Sequence, residues 1–194
     1  MTAGRSGSDF FQSLLDGHPS IMQFPGILNF NKNLVNLLNE KDLKKLALKF
    51  YESNLHFFDS RHNKIERHHQ LGNRKKSYFS VEKKKFIKEF LKFEKKNNTK
   101  FEKLKNLHFA YIKAAGFLSK NKKILVLHLH VMDYLKEFYK ILISKNNTQF
   151  ILTIRDPMVS LSSTMKSWLR YEKGISFQAD TLFWNIDNHL NIYQ

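Results

Sequence analysis

The chain contains no cysteine, which excludes disulfides, thiolate-ligated zinc and a thiol nucleophile together. Glycine and proline are scarce, at 7 and 3 residues, too few for a collagen-like or linker-dominated sequence. No apolar run approaches the ~20 residues that a membrane span requires. The first residues carry no apolar stretch of the signal-peptide kind, and a soluble, cytoplasmic chain is the expectation. What is present is 42% hydrophobic residues over a length of 194. A chain of that size fits one domain and can bury about 70% of its unfolded surface without staples.

Acidic residues are the other shortage. Lysine and arginine outnumber aspartate and glutamate 33 to 17, a formal net charge of +16. Such a balance favours anionic partners: nucleic acid, a membrane surface, or a phosphorylated or sulfated ligand. Arginine, whose planar fork reads bases and phosphates in bidentate fashion, supplies only six of the 33: Arg5, Arg61, Arg67, Arg74, Arg155 and Arg170. Many lysines stand beside asparagines, as in Lys95-Lys96-Asn97-Asn98 and Lys145-Asn146-Asn147. That texture describes solvated helix faces more than a built nucleic-acid surface, and no specific nucleic-acid partner is expected.

The chain opens with a Gly/Ser-rich turn, Gly4 to Ser8, followed by an apolar helix from Phe10 to Asp16 that Gly17 and Pro19 stop. Ile21 to Phe24 reads as a short strand ending at Pro25. Leu34 to Phe58 carries apolar residues at helical spacing and predicts one or two amphipathic helices. Arg61 to Ser80 is polar and aperiodic, a mobile surface loop. Helices are expected over Val81–Lys96, with Phe86, Phe90, Leu91 and Phe93 on its apolar face, and over Glu102–Ser119, with Leu104, Leu107, Ala110, Tyr111 and Ala114.

The texture then changes. Ile124 to Leu129 is nearly continuous in apolar residues, the pattern of a strand buried on both faces of a parallel sheet. A helix from Asp133 to Ile143 leads to a second such run, Phe150 to Ile154, ending at Arg155-Asp156-Pro157. Helices follow over about Val159–Tyr171, closed by Gly174, and from Phe177 with Ser176 as N-cap. Strands alternating with helices predict an α/β fold with a parallel sheet, here as one domain over 1–194 with a helical and loop insertion at about 31–120. Ligands in such folds bind beyond the carboxyl ends of the strands, where both His130 and Arg155 stand.

Two elements have the chemistry of an anion site. A Gly-x-x-Gly-Ser turn feeding a helix aims backbone N–H groups at one point, a nest for phosphate or sulfate, and Arg5, Ser6 and Ser8 add a cation and two hydroxyls. It lacks the Gly-Lys-Ser/Thr ending and the spacing of a Walker A loop, and by itself it also describes an ordinary helix N-terminus. In the second element Arg155 ends a strand and Ser163 follows eight residues later on the next helix. Together they can clamp a second phosphate, or Arg155 can pair with Asp156 and Ser163 can sit on a solvated face.

Taken together, these two elements resemble the sulfotransferase superfamily, whose members use 3′-phosphoadenosine 5′-phosphosulfate (PAPS). Arg5 to Pro19 is similar to the family's 5′-phosphosulfate loop, Arg/Lys-Ser-Gly-Thr-Thr, and its helix. The continuation Leu14-Leu15-Asp16-Gly17-His18-Pro19 is typical of its carbohydrate, bacterial and tyrosylprotein branches. Ile154-Arg155-Asp156-Pro157 through Ser163 is similar to the 3′-phosphate motif, Arg-Asp/Asn-Pro with a serine eight residues after the arginine. The resemblance implies a P-loop-like three-layer α/β/α fold. It implies that Arg5 and the backbone of Ser6, Gly7 and Ser8 hold the 5′-phosphosulfate of the donor, with Asp9 in the same loop, and that Arg155 and Ser163 hold the 3′-phosphate. It also implies an acceptor hydroxyl on a small molecule, a carbohydrate or a glycolipid. Transfer of this kind works by positioning and preorganised positive charge and requires no metal.

The sequence departs from the family pattern in places. Asp9 stands at the loop's second threonine, and Pro25-Gly26 occupies the region where the tyrosylprotein branch has its glutamate. The latter argues against tyrosine sulfation by the same mechanism. By the family pattern the 194 residues are a partial domain, lacking the strand that feeds the loop and a later Gly-rich, Arg/Lys-containing segment. The acceptor hydroxyl needs a general base. His130 is the first candidate and His128 the second, two positions apart on one face of a strand, with Asp133 third, although aspartate there also suits an N-cap.

His62, His68 and His69 have no carboxylate or cysteine at ligand spacing and read as a solvated loop. Phe183 and Trp184 read as core rather than a base-stacking platform. Two other functions compete: a basic nucleic-acid or polyanion-binding module without catalysis, and an atypical P-loop nucleotide kinase that would need Mg²⁺ and ATP.

Overall fold

The computed structural model of the chain describes residues 7–62, 74, 76–93, 99–117, 124–129, 135–143 and 147–149 and the single positions 151, 156, 159 and 162. Helix α1 (Ser8–Leu14) starts from Gly7, whose φ of 89° is open to glycine and strained for other residues, and the chain turns away after Leu15. Strand β1 (Ile21–Met22) pairs in parallel with β2 (Ile124–Leu125), Ile21 opposite Ile124 and Met22 opposite Leu125. A parallel pair cannot be closed by a tight turn, and the intervening chain is a run of helices. The fold is mixed α/β, as the alternating pattern predicts, and among the described residues the sheet has two strands.

The expected burial of the 124–129 run on both faces is not what the structure has. Ile124 is 52% exposed, the next four residues are half-buried, with Leu125 and Leu127 packed against the core, and Leu129 alone of the run is buried. The ladder ends after Leu125 with the bond from Val126 N–H to the Met22 carbonyl, 2.9 Å, so the remaining residues leave the sheet rather than lie between two layers. The expected strand at Ile21–Phe24 likewise pairs only at its first two residues. A further bond, Leu28 N–H to the His128 carbonyl at 2.8 Å, holds the two segments together beyond the ladder.

The core lies among the helices between the strands. Helix α2 (Lys32–Leu38) is capped by the Asn31 side chain, which accepts from Leu34 N–H, and α3 (Leu43–Ser53) by Asp42, which accepts from Lys45 N–H. After Asn54 comes the single turn α4 (Leu55–Phe58). Three helical pieces thus replace the one or two expected from Leu34 to Phe58. The breaks fall where asparagine and aspartate side chains compete for backbone groups: Asp42 caps α3, and Asn54 donates to the Phe50 carbonyl at 2.9 Å. Helices α5 (Lys83–Leu91) and α6 (Lys100–Ala114) complete the cluster, α6 packing on α5, α2 and β1. Phe50, Phe57, Phe58, Phe86, Phe90, Leu104 and Leu107 are all fully buried. Lys103 of α6 donates to the carbonyls of Leu38 and Glu40 at 3.0 and 2.7 Å, satisfying acceptors at the end of α2.

The segment Arg61–Ser80, expected as a mobile loop, is tied down at both ends. Ser60–His62 forms a 3₁₀ turn, Asp59 bridges Ser80, and Ser60 and Phe79 exchange bonds from Ser60 N–H to the Phe79 carbonyl and from Phe79 N–H to Ser60 Oγ, each 3.1 Å. Buried Ser60 is the reason: its polar atoms need partners in the core, and the returning chain supplies them. Residues 63–73 of that segment lie outside the described residues.

Beyond β2, α7 (Leu135–Phe138) runs into a π-helical turn at Tyr139–Ile143, with Phe138 packed edge-on against Phe30 at 5.1 Å. Of the second apolar run only Ile151 is described; it is exposed and in no strand. Val159 and Ser162 are helical, and Asp156 accepts from Val159 N–H at 2.9 Å. The rest of that helix, Gly174, Ser176 and the expected last helix with Phe183 and Trp184 lie outside the described residues. No helix among the described residues is long and apolar enough to cross a membrane.

Candidate functional site

Parallel pairing of β1 and β2 sends residues 23–28 and 126–129 out of the same end of the sheet, the carboxyl end. Helix α1 brings its own side chains to that end. The contact is polar. His128 Nδ1 lies 2.6 Å from Gln12 Oε1, and His128 Nε2 lies 3.8 Å from Asp9 Oδ1 in the first turn of α1. Gln12 Nε2 donates to the Phe24 carbonyl at 2.7 Å and more weakly to that of Gly26 at 3.4 Å. Gln23 Nε2 donates to the Gln12 carbonyl at 3.2 Å and to the Asp16 carboxylate. Among the described residues the opposite end of that amide, Gln23 Oε1, is buried without a hydrogen-bond partner.

Of the residues assigned to the donor site or as base in the sequence, Gly7, Ser8, Asp9 and His128 fall within the described residues. Gly7 accepts the first bond of α1, from Phe11 N–H at 3.0 Å, and an added Cβ there would meet nothing within 4 Å among the described residues. Ser8 is buried, and the half-exposed Asp9 points its carboxylate at His128. A carboxylate in the first turn of a helix is also favoured by the backbone dipoles. The His128 side chain is 7% exposed. The structure thus joins helix α1 to the residues after β2 across most of the chain. Arg5, Ser6, His130, Asp133, Arg155 and Ser163 lie outside the described residues.

Sequence reasoning missed Gln12 and Gln23, and gave Asp16 no role beyond its place in the Leu14–Pro19 stretch. A signal existed for the two glutamines. Each interrupts an apolar stretch, Phe10-Phe11-Gln12 and Ile21-Met22-Gln23-Phe24, and a glutamine at a core position must find hydrogen bonds. A second buried histidine was missed as well. His108 lies inside α6, its Nδ1–H donating to the Leu104 carbonyl at 2.8 Å and its ring 3.9 Å from that of Phe24. Burial pulls its pKa down to about 4. It belongs to the core rather than to the site.

Among the described residues no group of three or more histidines and carboxylates is placed to hold a metal ion. His62 is exposed on the 3₁₀ turn, while His68 and His69 lie outside the described residues. No family model, curated protein or solved structure matches this chain, so the residues of the site carry the reading of its function.

Proposed function

We propose that the chain is a sulfotransferase that moves a sulfuryl group from PAPS to the hydroxyl of a carbohydrate or glycolipid acceptor, on a P-loop-like three-layer α/β/α architecture. One observation carries the proposal: a strand-end histidine, His128, meets the first turn of the helix that begins at the Gly7–Ser8 loop. A base and an anion-binding loop have to converge in this chemistry, and nothing in a solvated surface helix requires them to. The turning of the Asp9 carboxylate toward His128 also supports a phosphosulfate at that loop.

In this reading Arg5 and the backbone of Ser6, Gly7 and Ser8 hold the 5′-phosphosulfate, and Arg155 and Ser163 hold the 3′-phosphate. The acceptor oxygen forms a bond to sulfur as the bridging oxygen–sulfur bond breaks. The hydroxyl proton passes to a base at the strand end, and the departing negative charge stays on the 5′-phosphate beside Arg5. His128, which meets α1, is taken as the base in this reading, with His130 and Asp133 the neighbouring candidates. Oriented cations and N–H donors supply the stabilisation.

Calorimetric titration with adenosine 3′,5′-bisphosphate and with ADP, without metal, tests the donor site. The bisphosphate is expected to bind more tightly. Arg155→Ala should weaken the bisphosphate roughly 10- to 100-fold, the worth of a hydrogen-bonded charge, and leave ADP unchanged. Equal affinities, or equal losses, would remove the assignment.

A second reading, a polyanion-binding module, is favoured by the +16 charge and by the exposed Lys44, Lys45 and Lys49 of α3 and Lys84, Lys85 and Lys88 of α5. Its mark would be affinity for nucleic acid that falls steeply with salt, with no preference between the two nucleotides. Binding of ATP only with Mg²⁺ would favour a kinase.

A further inference from the structure

We propose that Gln12 is the positioning residue of this site: its side-chain amide fixes the tautomer of His128, placing the ring proton on Nδ1 and the lone pair on Nε2, toward the first turn of α1. The role in catalysis rests on the sulfotransferase reading with His128 as base, whereas the tautomer stands on the geometry alone.

The amide is oriented by groups that can only accept. Its nitrogen lies 2.7 Å from the Phe24 carbonyl and 3.4 Å from that of Gly26. Reversing the amide would set two oxygens 2.7 Å apart and turn the bond into a repulsion. The amide oxygen therefore faces His128, 2.6 Å from Nδ1. An amide oxygen has no proton to give, so Nδ1 must carry one. In a neutral imidazole only one nitrogen is protonated, which makes Nε2 the basic atom.

Neither partner is loose. Gln12 is buried on α1, and its own carbonyl accepts from Gln23 Nε2 at 3.2 Å, with Gln23 tied in turn to Asp16. The backbone of His128 accepts from Leu28 N–H at 2.8 Å, which sets where the ring begins. Nε2 then lies 3.8 Å from Asp9 Oδ1, in the first turn of α1. A general base must present its lone pair to the proton it takes. With the proton on Nε2 instead, the lone pair would face Gln12 and be of no use to an acceptor.

The test is a long-range proton–nitrogen correlation spectrum of the histidine rings in the full chain, with His128 assigned by its loss in His128→Gln. At a pH where the ring is neutral, Nδ1 should have the signature of a protonated nitrogen and Nε2 that of an unprotonated one. Gln12→Met, similar in size but without the acceptor, should bring in the Nε2–H form. It should also lower kcat for sulfuryl transfer about 10-fold or more while leaving the affinity for adenosine 3′,5′-bisphosphate unchanged.

A proton on Nε2 in the unmodified protein would overturn the proposal, as would an unchanged ring in a folded Gln12→Met. If that variant does not fold, the spectrum of the unmodified protein still decides. The expected tautomer together with no preference for the bisphosphate over ADP would keep Gln12 in its place and remove the sulfotransferase reading instead.

Discussion

Helices α3, α5 and α6 close with α4 over Phe50, Phe57, Phe58, Phe86 and Phe90, all at 0% exposure, whereas α1 leaves Phe10 69% and Leu14 64% exposed and buries Gln12. In the first region aromatic rings meet one another, Phe24 stacked on Phe57 at 4.9 Å and Phe58 edge-on to Phe86 at 4.7 Å. In the second, amides meet backbone carbonyls and a histidine. Apolar packing is non-directional and grows with buried area, while hydrogen bonds in a dry setting fix orientation and lose heavily when one partner goes. The aromatic region is where stability concentrates, and the α1 end is where side chains are held in a stated direction.

The largest effect that breaks this contrast is a cavity. Phe57→Ala should cost about 3–5 kcal/mol, transfer and cavity together. Phe10→Ala, at the exposed face of α1, should stay within about 0.5 kcal/mol. Denaturant melts of the two variants would measure both, and similar losses would show that α1 is held by its apolar face after all.

Next comes the histidine buried inside the aromatic region. The pKa of His108 falls from an ordinary 6.5 to about 4 on folding. The unfolded chain therefore binds the extra proton between those values, so this contribution is complete above pH 6.5, shrinks as the pH falls and is gone below about 4. It is worth about 3 kcal/mol over that window. His108→Leu should flatten the stability curve between pH 6.5 and 4, and an unchanged slope would mean that the ring is already charged or solvated.

The smallest effect sharpens the other side of the comparison. Gly7→Ala meets no atom within 4 Å among the described residues, and its left-handed backbone makes the substitution cost about 1 kcal/mol. Thermal melts should show that modest loss. Titration should show a larger loss of bisphosphate affinity if the loop holds the phosphosulfate.

How much was legible follows the same division. The stripe Leu104, Leu107, Ala110, Tyr111 and Ala114 reads directly as the buried face of α6, because helical period and burial agree there. The start of that helix was less legible. Thr99 and Glu102 form a capping box that places its first residue at Lys100, ahead of the expected Glu102. The run Ile124–Leu129 shows the opposite failure: continuous apolar sequence says strand, but not how long the ladder runs or how many faces are covered. Gln12 had only the hint of a polar residue among phenylalanines. Its partner is 116 positions away, and no local pattern carries that distance.

By itself the sequence determined the mixed α/β pattern, the apolar faces of α5 and α6 and the parallel sense of the two strands, whereas it set the start of α1 at Phe10, two residues after the Ser8 at which the helix begins. These follow from period, propensity and connection length, which are local or additive. Only the tertiary structure decided that His128 lies against Gln12 and Asp9, that Ser60 anchors the returning chain and that His108 is buried within the aromatic cluster. Hydrogen bonds depend on distance and direction in space, and those are defined only once the helices have packed.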